Sequence, residues 1–171
     1  MTHKASVIFY SLSDYNNGDL LPKEFDLTSY NNRQELESDV AGWLKEISTD
    51  DHLREEWILA DFDGIPSGCA WEYGIHDSAF VFLKAVEKHG YEVAEAAYEL
   101  GIINSFTANI EDRYIGTFDS VGDFVAEMLE ESGQIEDVPE WLRGYIDYDA
   151  LGRDWMIDTY TAYNDHYFRS A

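Results

Sequence analysis

The sequence predicts an α+β fold, and three observations carry that expectation. Runs rich in β-branched and aromatic residues, Ala5 to Tyr10 and Glu56 to Phe62, have strand character. Apolar residues recur at three-to-four spacing in the stretches 36–47, 80–100 and 121–129, the period of amphipathic helices. At 171 residues, 45% hydrophobic and 15% aromatic, the chain carries too much apolar material for a disordered acidic tail. It is long enough for one core, or for a few small ones in series.

The first third opens with the strand Ala5 to Tyr10, a turn at Asn16-Asn17-Gly18, and a second short strand at Glu24 to Leu27. Asn31 or Asn32 caps a helix to about Ile47, because Leu36, Val40, Trp43, Leu44 and Ile47 share one face. Glu35, Asp39 and Glu46 lie on the other face. Glu56 to Phe62 makes a third strand, closed by Asp61-Phe62-Asp63-Gly64. A small sheet crossed by one helix is the simplest arrangement. In the middle third, Asp77 or Ser78 caps a helix through Phe80, Phe82, Leu83 and Val86 to His89-Gly90. A second helix runs from Tyr91 to Leu100 and stops at Gly101, so the pair forms a helical hairpin.

The last third begins with Ser105 to Ile110 and Arg113 to Phe118, a candidate β-hairpin around Glu111-Asp112. Asp119 or Ser120 caps a helix whose Val121, Phe124, Val125, Met128 and Leu129 face inward, with Asp123, Glu127, Glu130 and Glu131 opposite. Gly133 ends it. Pro139 starts a short helix at Glu140 to Tyr145, and Asp149 to Thr159 forms another. Tyr145, Tyr148, Trp155, Tyr160, Tyr163, Tyr167 and Phe168 crowd this end, either as core or as a patch for self-association.

Charge bounds the function. Thirty-five Asp and Glu stand against 11 Lys and Arg, a formal net charge of −24. Split near Phe62 and Ser105, the three stretches hold 13 acids and 5 bases, 7 and 2, and 15 and 4, so every part is acidic. Between Arg113 and Arg143 there are eight acids and no Lys or Arg. Such a surface repels nucleic acid and acidic membranes and attracts basic proteins. Salt adaptation is the rival explanation, since the chain has few lysines. One cysteine, Cys69, forms no internal disulfide, and neither a signal-peptide core nor an apolar run of about 20 residues is present. A cytoplasmic protein without membrane association is expected.

Catalytic and metal patterns fail. A calcium-binding loop starting at Asp14 needs glycine at position 19 and glutamate at position 25, where the chain has Asp19 and Phe25. His3, His52, His76, His89 and His166 are widely spaced, so no zinc pattern appears and no cofactor is expected. Phosphate-binding, dinucleotide-binding and nucleophile-elbow motifs are absent. Cys69 near His76 reads as buried packing rather than a nucleophile. The chain is expected not to be an enzyme, an acidic or metal-dependent hydrolase being the alternative. Duplex DNA carries one charge per about 1.7 Å of axis, so 24 charges match the phosphates of roughly 40 Å of duplex.

The segment Asp137-Val138-Pro139-Glu140-Trp141-Leu142-Arg143-Gly144-Tyr145-Ile146-Asp147-Tyr148, continuing to Arg153-Asp154, resembles the signature of the ArdA antirestriction family. Tyr114-Ile115-Gly116-Thr117-Phe118-Asp119-Ser120 with Asp123-Phe124 is similar to that family too, as is the opening strand followed by Asn-Gly and Phe25-Asp26-Leu27. The sequence departs from the signature at Trp141 and Gly144. The resemblance implies a mobile-element protein and an elongated homodimer, with three small domains per chain at 1–62, 63–105 and 106–171. It implies a mimic of bent B-DNA that occupies the DNA-binding site of type I restriction-modification enzymes, on their methyltransferase core. The acids expected to replace phosphates are Glu35, Asp39, Glu46, Glu95, Asp123, Glu127, Glu130, Glu131, Glu136, Asp137 and Glu140. Dimerisation through the C-terminal domain would use Tyr145, Tyr148, Trp155, Tyr160 and Tyr163. A mimic aimed at another basic target, such as a nucleoid protein or transcription factor, is the alternative within binding proteins.

Overall fold

The structure is a computed structural model that describes residues 3–170. It is a mixed α+β chain with several small sheets and helices, in two compact units, Met1–Ala108 and Asn109–Ala171.

The first unit begins with β1 (Ser6–Ser11), whose Val7 and Phe9 point into the core while their neighbours are half-buried. Ser11 ends the strand and caps a short helix, α1 (Leu12–Asn17), its Oγ accepting from the Asp14 amide at 3.3 Å. Gly18, in the left-handed region at φ +85°, closes that helix. The turn expected at Asn16-Asn17-Gly18 is therefore the end of a helix. Strand β2 (Lys23–Asp26) comes next, then α2 (Arg33–Ile47) and β3 (Trp57–Asp63). The sheet is antiparallel in the order β2-β1-β3. Leu36, Val40 and Leu44 bury one stripe of α2, and Trp43 meets Phe25 edge to face at 6.1 Å. This is the expected sheet with one helix across it.

After β3 comes a two-stranded hairpin, β4 (Ala70–Trp71) with β5 (Gly74–Ile75), which the sequence did not announce. Helices α3 (Asp77–His89) and α4 (Tyr91–Glu99) pack together, with Phe82 edge to face against Tyr91 and Tyr98. Ala94, Ala96 and Ala97 of α4 are fully buried. The N-cap of α3 is His76, without a side-chain cap bond, rather than Asp77 or Ser78. Ser78 is drawn inward instead, donating to the buried Cys69 sulfur at 3.5 Å.

In the second unit β6 (Tyr114–Thr117) does not pair with the segment before it, so the hairpin expected around Glu111-Asp112 does not form. At the end of the first unit, residues 104–107 fold on themselves, the Asn104 side chain accepting from the Phe106 and Thr107 amides. Ile110 is buried and its carbonyl accepts from the Arg113 and Tyr114 amides. The true partner of β6 is β8 (His166–Arg169), which also pairs with β7 (Tyr160–Tyr163), in the order β6-β8-β7. Asn164 and Asp165, both at positive φ, make the two-residue turn of that hairpin.

Helix α5 (Val121–Glu131) covers this sheet. Phe124 and Val125 are fully buried, and Phe124 stacks on Tyr167 at 4.7 Å between ring centroids. Phe118, Trp155 and Tyr160 pack edge to face around the same ring. Gly133, at φ +72°, turns the chain out of α5 into a 3₁₀ turn at Gln134–Asp137. The chain then forms the short α6 (Glu140–Arg143) and α7 (Tyr148–Asp158), the latter capped by Asp147 accepting from the Ala150 amide at 2.9 Å.

Candidate functional site: an acidic surface

Burying a carboxylate without a partner costs several kcal/mol, so a chain this acidic must place nearly all its acids in water. Of the 35 acids, Asp14 is buried and Glu37 and Glu95 are half-buried, which leaves 32 exposed. Several cations are spent elsewhere. Arg54 Nε donates to Asp14 at 2.7 Å and its Nη1 to the Ile47 carbonyl at 2.6 Å. Arg113 donates to the Arg169 carbonyl, and Arg143 to the carbonyls of Val138 and Glu136. Arg33 and Glu37 pair at 3.5 Å with their side chains in contact with solvent, of the kind worth well under about 1 kcal/mol. The exposed carboxylates thus keep most of their charge.

The densest acidic stretch runs from α5 through the 3₁₀ turn into α6. Asp123, Glu127, Glu130 and Glu131 are all exposed on the face opposite Phe124 and Val125. Side chains three or four apart on a helix have Cβ atoms about 5–6 Å apart, so these four carboxylates form one closely spaced row. Glu136 and Asp137 in the turn and Glu140 on α6 continue the exposed series. In the first unit Glu35, Asp39 and Glu46 are exposed on α2, while Glu95 is half-buried on α4 and accepts from the Tyr91 hydroxyl at 3.2 Å.

Two of these acids also hold helix ends. Glu35 accepts from the Asn31 amide at 2.8 Å while its own amide donates to the Asn32 side chain at 3.0 Å. The Asn31 amide hydrogen bond holds the Glu35 carboxyl below its usual range. Asp123 likewise faces its N-cap, accepting from the Ser120 hydroxyl at 2.6 Å. Asp39 accepts from Tyr30 at 3.1 Å; burial and this bond push the Tyr30 hydroxyl up to about 12. Tyr30, Glu35 and Asp39 line an open depression of about 570 Å³.

The aromatic candidates divide. Tyr148, Trp155 and Tyr160 are half-buried against the Phe124 core. Tyr145 is 82% exposed and Tyr163 sits at the margin of the surface. Trp141, one of the two departures from the signature, and Ile157, which no sequence pattern singled out, are both 73% exposed and join them as surface apolar residues.

Chemistry beyond charge is sparse. Among the described residues no group of three or more His, Cys, Asp or Glu could hold a metal ion. Burial pushes the Cys69 thiol up, away from the reactive thiolate. His52 contacts Asp14 at 3.3 Å and Ser13 at 3.1 Å, but through the same nitrogen, Nε2. A catalytic relay needs the two ring nitrogens in separate roles. No described helix is long and apolar enough to cross a membrane.

No curated protein matches the chain. The family model described as antirestriction protein (ArdA) matches residues 10–169, nearly the whole length and both units. The chain therefore belongs to the ArdA family of antirestriction proteins.

Proposed function

We propose that this protein inhibits type I restriction-modification enzymes by occupying the DNA-binding site of their methyltransferase core, without catalysis and without a cofactor. The observation that carries the reading is the exposure of 32 acids across both units of an ArdA-family chain. A groove of Lys and Arg built for phosphates pairs with carboxylates by the same charge-assisted hydrogen bonds. The three-domain division at 1–62, 63–105 and 106–171, the cytoplasmic location and the homodimer belong to this reading. Exposed Trp141, Tyr145 and Ile157 in the second unit support self-association, since aromatic residues are favoured at interfaces.

The test is competition. A labelled duplex bound to a type I methyltransferase core is released as the protein is added at low salt, if the reading holds. Unchanged DNA binding at excess protein refutes it for that enzyme.

A further inference from the structure

We infer that the β4–β5 hairpin is an aromatic and acidic clamp for arginine side chains of the basic partner. The clamp rests on the reading of a basic protein partner and adds to it a contact that is not a phosphate substitute. Trp71 and Tyr73 are 46% and 42% exposed, their rings edge to face at 5.6 Å, and His76 stacks on Trp71 at 6.1 Å. They are held there from beneath. The Leu59 amide donates to the Glu72 carbonyl at 2.9 Å and Trp57 Nε1 to the Tyr73 carbonyl at 2.9 Å, pinning the hairpin to β3. Gly74 completes the fit, because a Cβ there would press on the Trp71 indole nitrogen at 3.3 Å.

Charge around the rings selects the occupant. From Glu55 to Leu83 there is no Lys or Arg, and Glu56, Glu72 and Asp77 are all exposed. Glu72, next to Tyr73 in the chain, raises the Tyr73 phenol above its usual range. An aromatic face beside exposed carboxylates suits guanidinium, which stacks flat on the ring while its N–H groups reach a carboxylate. An apolar partner would have to desolvate those acids. A second copy of the chain would bring its own acids against them.

The full-length protein, labelled with ¹⁵N, is titrated with a hexa-arginine peptide and with a hexa-lysine peptide, following the Trp71 indole N–H. A larger shift with hexa-arginine supports the clamp; equal or smaller shifts overturn it. In parallel, the double substitution W71A/Y73A is compared with W71F/Y73F in competition for the methyltransferase core. The alanine pair is expected to compete about fivefold less well with an unchanged salt slope, since no ion pair is lost, and the phenylalanine pair to recover most of it. Wild-type competition by W71A/Y73A overturns the clamp, as does a change in its sedimenting mass, which would mark a self-association patch. If the wild type fails to compete but hexa-arginine still selects Trp71, the clamp stands and the restriction-enzyme reading falls.

Discussion

Asp14 is 1% exposed, while the other Asp and Glu side chains are exposed or, at Glu37 and Glu95, half-buried. It accepts from Arg54, which also reaches the C-terminal carbonyl of α2, so one guanidinium ties α1 to the end of α2. Asp14→Ala leaves that cation unpaired and is expected to lower stability by about 3 kcal/mol in a denaturant titration. The hydrogen bond from Arg54 holds the Asp14 carboxyl below its ordinary 3.8. A depressed folded pKa stabilises above the unfolded value and is lost as pH falls through the folded one. Melting temperatures should therefore drop below about pH 4, and Asp14→Asn should flatten that drop; an identical acid limb in the variant would rule out Asp14 as its cause. The role of Asp14 was not legible in the sequence. The sequence placed a turn at Asn16-Asn17-Gly18 but not the helix α1 that Ser11 caps, and Arg54 lies 40 residues away, so no local pattern names it as the partner.

Helix α5 separates holding the fold from presenting charge. Phe124→Ala removes the ring that contacts Phe118, Trp155, Tyr160 and Tyr167, and is expected to cost about 3–5 kcal/mol. The triple substitution E127Q/E130Q/E131Q is expected to leave folding intact, gaining a few tenths of a kcal/mol for each like-charge pair relieved. It should also weaken competition with DNA. Unfolding by the triple variant, or undiminished competition, would break the division. Both faces of α5 were readable from three-to-four spacing, and its cap was narrowed to Asp119 or Ser120, of which the structure uses Ser120. Strands β7 and β8 were not, because their tyrosines and phenylalanine read equally as core or patch until paired. The pairing of β6 with β8 joins Tyr114 to Phe168, far beyond the reach of any turn signal. The β4–β5 hairpin was too short to show a period.

At the scale of the whole molecule, composition made a basic partner the expectation before any element was placed. The net charge of −24 needed only the knowledge that acids avoid burial, and 32 of 35 are exposed. What composition could not reveal is where cations are withdrawn from the surface. Arg113 and Arg143 serve backbone carbonyls, and Arg54 serves a buried carboxylate. A surface that works by summed charge should tolerate single losses, because each exposed pair contributes little. The most direct measurement is the salt dependence of binding between this protein and a type I methyltransferase core, followed with and without a competing duplex. Mimicry predicts that log K falls linearly with log salt, with a slope of the same order as the DNA slope for that enzyme, and that protein and duplex exclude each other. Salt-independent binding, or a ternary complex holding both, would contradict it.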